Sequence, residues 1–309
     1  MSTVSRRAVI DIGTNSVKLL VGEVSSGSVA PLFEDNRLTR LGRGLYEEGL
    51  LAESSMADTE EAARHFSQKA ESLGATQLRV IATSATRDAK NGDELVERLK
   101  QATRVEPRIL SGQEEARMVL DGILTDPRLQ NRNLLITDIG GGSTELILTR
   151  NGELVHERSF QMGTVRILEA VPPQDPPSRP CREGCDRWLD RIFRDEVLPG
   201  LSGPIRETGD VTLVTTGGTS TILARIHLET DLFEREKIES VILQRNQVAA
   251  IHDRLWSCSL SERQKITGLP ADRADVMPAG SAIYLKIFQH LGFKAMNPST
   301  RGLRFGALL

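Results

Sequence analysis

Apolar runs broken by glycine-rich turns predict much of the chain's secondary structure before any chemistry is considered. Leu134 to Ile136 leads into Asp138, Gly140-Gly141-Gly142-Ser143 interrupts, and a second β-rich run continues from Glu145 to Leu148. The pattern reads as strand, glycine turn, strand. It also opens the chain: Ala8 to Ile12, then Gly13-Thr14-Asn15-Ser16, then Val17 to Val21. Superimposing Asp11 on Asp138 also superimposes Ile12 on Ile139, Gly13 on Gly140, Ser16 on Ser143 and Leu19 on Leu146. Two copies of one hairpin predict two related domains facing each other across a cleft.

The periodicity of the remaining segments predicts strands at Val29–Arg40, Leu78–Ala82, Glu153–Gln161 and Val211–Thr216. Helical spacing appears over Ala57–Leu73, where Gly74 stops it, and over Asp93–Ala102, Asp186–Leu198, Arg245–Trp256 and Ser281–Leu291. His65 reads as an ordinary residue of the first of these helices. Ser111 is a plausible N-cap, and Glu114 three residues later completes a capping box, which leaves Glu115 without a structural duty. Pro172–Pro180 holds five of the thirteen prolines and ends in Cys181-Arg-Glu-Gly-Cys185, read as a surface loop. Gly268–Gly280 reads as a loop, and Ser299–Gly306 as a compact turn.

Length and composition narrow the class. The 309 residues suffice for two domains, with 39% hydrophobic and 26% charged residues. A net charge of −3 excludes the polycationic footprint of a nucleic-acid binder. No apolar run reaches membrane-spanning length, and no signal-peptide core precedes the first strand. Three cysteines do not make a disulfide framework. The expected location is the cytoplasm, with neither nucleic acid nor membrane as partner.

The chemistry suggested by the turns is phosphate binding. Glycine turns leave amide N–H groups directed at an anion. A carboxylate ending the first strand fits if a divalent cation sits between it and the phosphate. Thr215-Thr216-Gly217-Gly218-Thr219 is a third glycine turn, running from strand into helix, where helix N–H groups favour an anion. It has the spacing of neither a P-loop nor a dinucleotide fingerprint. Arg87 follows a Thr/Ser run and reads either as a residue beside an anion or as part of an ordinary capped helix. Arg40 and Arg43 read as loop arginines that reach a substrate or stay solvated. Glu115 reads as a solvated first-turn glutamate or as a general base that orients water.

Taken together, these residues resemble the Ppx/GppA family of exopolyphosphatases and guanosine pentaphosphate phosphohydrolases, within the actin, Hsp70 and sugar-kinase fold superfamily. The resemblance rests on DIGTNS at Asp11–Ser16, TSATRDAKNG at Thr83–Gly92, SGQEEAR at Ser111–Arg117, DIGGGSTE at Asp138–Glu145, TTGGTST at Thr215–Thr221, DRADVMPAG at Asp272–Gly280 and STRGLRFG at Ser299–Gly306. It implies an α/β fold of two actin-like domains with a phosphate-binding cleft between them. Domain I would be residues 1–124 with 297–309 returning to it, and domain II residues 125–296.

The resemblance implies Glu115 as the catalytic base and Asp11, Asp138 and Glu145 as carboxylates for Mg²⁺, with Mn²⁺ as a substitute. It implies Gly13, Thr14, Asn15, Ser16, Arg87, Gly140, Gly141, Gly142, Ser143, Gly217 and Gly218 as phosphate-binding groups. Arg273 lies in a family motif without an assigned role. The expected activity is release of orthophosphate from the end of polyphosphate. Short chains would be favoured, because the helical C-terminal domains of long members are not in this sequence. Guanosine pentaphosphate (pppGpp) hydrolysis is the alternative within the family. A kinase of the same superfamily and a non-catalytic alarmone-binding regulator are the wider rivals. A homodimer is implied by resemblance.

Overall fold

The computed structural model describes residues 4–309. The chain divides into one unit ending at Gln130 and including Arg301–Leu309, and a second unit, Asn131–Thr300. Among the described residues no helix is long and apolar enough to cross a membrane.

The first unit is built on β1 (Ser5–Ile12), β2 (Ser16–Ser25), β3 (Ser28–Leu38), β4 (Gln77–Ala82) and β5 (Arg108–Ile109), in the order β3-β2-β1-β4-β5. The first three form an antiparallel meander; β4 runs parallel to β1, and β5 parallel to β4. Val9–Ile12 is buried on both faces, as a central strand covered by other elements must be. The edge strand β3 instead carries Glu34, Asp35, Asn36 and Arg37, which discourage further pairing. Helix Glu53–Ser72 buries Met56, Ala63, Phe66 and Ala70 on one face at helical spacing. Phe66 joins Ile10, Ile12, Leu19, Leu95 and Leu99 in the core.

The second unit repeats the plan with β6 (Leu134–Ile139), β7 (Thr144–Arg150), β8 (Glu153–Phe160), β9 (Thr212–Thr216), β10 (Leu243–Gln244) and β11 (Ala295–Pro298). Its order is β8-β7-β6-β9-β11, with β10 added antiparallel at the edge. The repeat extends to an irregularity: β2 and β3 shift register between Val21 and Gly22, and β7 and β8 between Leu148 and Thr149, the same two positions of the hairpin. Both sheets are mixed, flanked by helices, and of one topology, which confirms the two related α/β domains expected from the duplicated hairpin.

Three local expectations are corrected. Cys181–Cys185 is not in a surface loop but on helix Arg179–Ile192, with Cys185 buried. Pro180 lies in the first turn, where a missing N–H costs nothing and the fixed φ suits a helix, so the proline cluster ends by starting the helix. The last long helix begins at Met277 rather than Ser281, again with a proline, Pro278, in its first turn. The expected compact turn at Ser299–Gly306 contains most of a helix, Leu303–Leu308, too short to show periodicity in the sequence.

Candidate functional site

In the first unit the predicted residues gather at the carboxyl ends of the parallel strands. Asp11 lies near the end of β1; Gly13, Thr14 and Asn15 form the turn into β2, which Ser16 opens. From the end of β4 the chain enters helix Ser84–Asp88, which carries Arg87. From β5 it enters helix Gly112–Leu124, which carries Glu115. Open α/β sheets place ligands at this edge because the loops there converge.

Ser111 caps the helix Gly112–Leu124 as expected: its hydroxyl accepts from the Glu114 N–H at 3.2 Å, and the Glu114 carboxylate accepts from the Ser111 N–H at 2.8 Å. Glu114 is thereby committed to the cap, with the Ser111 backbone N–H foremost in holding its carboxyl down at about 2. Glu115 turns the other way and is only 8% exposed, which removes the reading of a solvated first-turn residue. Arg87 Nη1 lies 3.4 Å from Glu115 Oε2 and donates to the Leu110 carbonyl at 2.6 Å. That carbonyl fixes the guanidinium beside the carboxylate.

A second constraint on this helix comes from far along the chain. Helix Leu303–Leu308 lies against it so closely that a Cβ on Gly122 would stand 2.0 Å from the Gly302 carbonyl oxygen. A Cβ on Gly306 would stand 1.9 Å from the Met118 carbonyl oxygen. Only glycine allows this backbone-to-backbone approach.

In both hairpin turns the backbone carbonyls are occupied by the segment that follows the meander. Gly42 N–H donates to Thr14 at 2.7 Å, and Thr39 and Arg40 N–H donate to Asn15 at 3.2 and 3.0 Å. In the second unit, Thr164 N–H donates to Gly140 at 3.0 Å, and Val165 N–H to Gly141 at 2.8 Å. Arg166 Nε donates to Gly142 at 2.9 Å. In a trans peptide the C=O and the following N–H point in opposite directions. The N–H groups of Asn15 and Ser16, and of Gly141, Gly142 and Ser143, are therefore aimed away from those segments, as an anion-binding turn requires.

Gly42 and Gly163 make the approach feasible. A Cβ on Gly42 would lie 2.3 Å from the Thr14 side chain, and one on Gly163 would lie 2.3 Å from the Gly141 carbonyl oxygen. Sequence reasoning missed Gly42, Gly163 and Arg166 because each serves a turn more than twenty residues away. Arg40, which takes φ 50° beside the first turn, marks the same tight junction.

The second unit brings its own predicted residues together. Asp138 and Glu145 are register partners across β6 and β7. Glu145 is fully buried and accepts from Ser159 Oγ at 2.7 Å. Gly217, at φ 84°, opens helix Gly217–His227 directly against Asp138: a Cβ there would be 2.3 Å from Asp138 Oδ1. Gly218 beside it faces open space. Tyr284 lies wholly buried nearby, and burial first, then the charge of Asp138, pushes its phenol above the ordinary value. Arg273 ends a short 3₁₀ turn, Ala271–Arg273, and its N–H donates to Pro270.

The donor set at Asp138 and Glu145 suits a hard divalent cation. Two carboxylates directly opposed on adjacent strands repel each other unless a positive charge offsets them. Among the described residues no three His, Cys, Asp or Glu side chains form a protein-only cage. Mg²⁺ does not require one, since it keeps water and takes phosphate oxygens as ligands.

Two α/β units of one topology, with glycine turns at the carboxyl ends of their strands, define a protein of the actin, Hsp70 and sugar-kinase class. The sequence profile of the Ppx/GppA phosphatase family matches residues 20–309. The chain belongs to that family. A Ppx/GppA enzyme of Aquifex aeolicus is 27% identical with a TM-score of 0.80, the match covering 99% of each chain. An exopolyphosphatase from Cytophaga hutchinsonii is 25% identical with a TM-score of 0.88, over 98% of this chain and 96% of that one. The likeness to both thus spans both units.

Proposed function

We propose that this protein is an exopolyphosphatase that cleaves the terminal phosphoanhydride of inorganic polyphosphate and releases orthophosphate. The observation that carries the reading is Glu115, a carboxylate kept out of the adjacent capping box, buried on the first turn of its helix and set beside Arg87. Family membership and the likeness to an exopolyphosphatase support it.

In this reading Glu115 accepts a proton from the attacking water and aligns it with the leaving oxygen. Arg87, oriented by the Leu110 carbonyl, offsets charge on the phosphoryl oxygens. In the first unit the N–H groups of Asn15 and Ser16 bind phosphate oxygens; in the second, those of Gly141, Gly142 and Ser143 do so, with the helix start at Gly217 and Gly218. Mg²⁺, or Mn²⁺ in its place, would be held by Asp138 and Glu145 together with water and phosphate oxygens, and when bound supplies charge neutralisation. Positioning and electrostatics carry most of the rate, as in other phosphoryl transfers.

The test is Mg²⁺-dependent phosphate release from polyphosphate, pppGpp and ATP offered side by side, with Glu115→Gln as comparison. Polyphosphate is expected to be the best substrate, and Glu115→Gln to lower kcat by about 10²–10⁴ with the fold intact. Faster release from pppGpp would make the protein an alarmone phosphohydrolase. Normal turnover by the variant would remove Glu115 from the mechanism. Binding without release from any substrate would leave a regulator.

A further inference from the structure

The two glycine turns secure their last carbonyl by different means. The alignment that sets Asp11 on Asp138 sets Thr14 on Gly141, Asn15 on Gly142 and Ser16 on Ser143. In the first turn the Asn15 carbonyl accepts from two backbone donors, the N–H groups of Thr39 and Arg40. In the second, the start of helix Thr164–Ala170 supplies backbone N–H groups to the first two carbonyls: Thr164 donates to Gly140, while Val165 and Arg166 donate to Gly141 at 2.8 and 3.2 Å. The Gly142 carbonyl accepts from a side chain instead, Arg166 Nε at 2.9 Å.

That bond sets the direction of the next N–H. The Gly142–Ser143 peptide is trans, so a carbonyl held toward Arg166 turns the Ser143 N–H the opposite way. Gly142 has no Cβ and follows two further glycines, so local sterics do little to hold this peptide in one orientation. A donor from outside the turn can. The helix that carries Arg166 is itself fixed: Thr164 and Ile167 are buried, Ile167 in the core of the second unit, and the chain enters the helix through Gly163, pressed against Gly141. A charged donor also makes a hydrogen bond roughly twice as strong as a neutral one.

We propose that Arg166 is a positioning residue of the second turn: its Nε–H fixes the Gly142–Ser143 peptide so that the Ser143 N–H meets a phosphate oxygen. The guanidinium acts through the peptide rather than by touching the phosphate. The inference rests on the reading above that this turn holds phosphate. It deepens that reading by making one turn depend on a side chain at the place where main-chain bonds hold the other.

Three variants of the full-length protein separate the donor from the charge. Arg166→Gln carries an amide N–H on a nitrogen bonded to Cδ, as Nε is in arginine, and removes the charge. Arg166→Lys keeps the charge but has a methylene at that atom. Arg166→Met keeps neither. Orthophosphate with Mg²⁺ is the probe, its affinity measured by isothermal titration calorimetry beside kcat and KM for polyphosphate. Arg166→Gln is expected to bind orthophosphate within about threefold of the wild type, and Arg166→Lys and Arg166→Met about tenfold more weakly, the loss of one directed contact. The last two should also lower kcat about tenfold or more, because an N–H that misses the phosphoryl oxygen no longer stabilises charge there. Arg166→Gln should restore most of that loss.

Wild-type affinity in Arg166→Lys with a loss in Arg166→Gln would overturn the proposal and make Arg166 a direct charge contact. Equal losses in those two variants, or an unchanged Arg166→Met, would overturn it as well. If circular dichroism shows Arg166→Met to be misfolded, the order of the glutamine and lysine variants decides the matter. The expected order in orthophosphate binding without hydrolysis of any substrate would sink the hydrolase reading and leave the role of Arg166 standing. Polyphosphate turnover without that order would do the reverse. Neither orthophosphate binding nor turnover in the wild type would overturn both.

Discussion

Gly306→Ala probes how the Glu115 helix is held in place. The added methyl would lie 1.9 Å from the Met118 carbonyl oxygen, where ordinary contact begins at 3.4 Å, so the two backbones must part by about 1.5 Å in a tightly packed interior. Helix Leu303–Leu308 is poorly able to take up that movement. Arg7 Nη1 donates to the carbonyls of Leu308 and Leu309 at 2.9 and 2.6 Å, and Arg79 Nη1 to that of Ala307 at 2.6 Å. Arg304 Nη1 donates to the Leu19 carbonyl at 3.1 Å. Helix Gly112–Leu124 therefore gives way, and Met118 lies only one turn from Glu115.

If Glu115 has the role proposed above, a displacement of about 1 Å there should cost on the order of 10²-fold in rate. Overpacking costs about 1–3 kcal/mol, and at roughly 2–4 °C per kcal/mol for a chain of this size Tm should fall by about 2–12 °C. Calorimetry and phosphate release on the same preparation measure both effects. Gly203→Ala is the control, because a Cβ there meets nothing within 4 Å and its φ is ordinary, so activity should hold and Tm should stay level or rise. A Gly306→Ala protein with wild-type Tm and turnover would refute the argument that this backbone contact positions Glu115.

Two further expectations follow from single contacts. Gly217→Ala should cost about 1–2 kcal/mol for placing a side chain at φ 84°, and should weaken Mn²⁺ binding about tenfold by pushing on Asp138. A titration showing wild-type affinity would mean that the carboxylate swings clear. Glu114, whose carboxyl is held at about 2 against an ordinary 4.5, gives stability that is fully present above pH 4.5 and lost as pH falls through about 2. Glu114→Gln should flatten the stability profile between those values and leave its slope above pH 5 unchanged, as urea unfolding at a series of pH values would show; an unaltered acid limb would remove Glu114 from the acid response.

The sequence carried the strands, the capping box at Ser111 and Glu114, and the three glycine turns, because each is written within a window of a few residues whose polarity and φ preferences agree. The duplicated hairpin went further: two in-register copies announced two related sheets, down to the side on which Asp11 and Asp138 emerge. Family motifs named Glu115 where local spacing favoured a solvated residue.

What only the tertiary structure decided is which distant groups share a space. The burial of Glu115 beside Arg87, the seating of Gly163 on Gly141 and of Gly306 on Met118, and the pressure of Gly217 on Asp138 all join segments that no local pattern connects. Helix starts at Arg179 and Met277 were hidden for a related reason: a proline that breaks a helix interior also begins a helix well, and only packing shows which occurs. Residue identity was enough to place a lysine at position 18 and a glutamate at position 145. The strand register was needed to set each against its aspartate, and with that to separate a hairpin whose aspartate faces a lysine from one whose aspartate faces a glutamate.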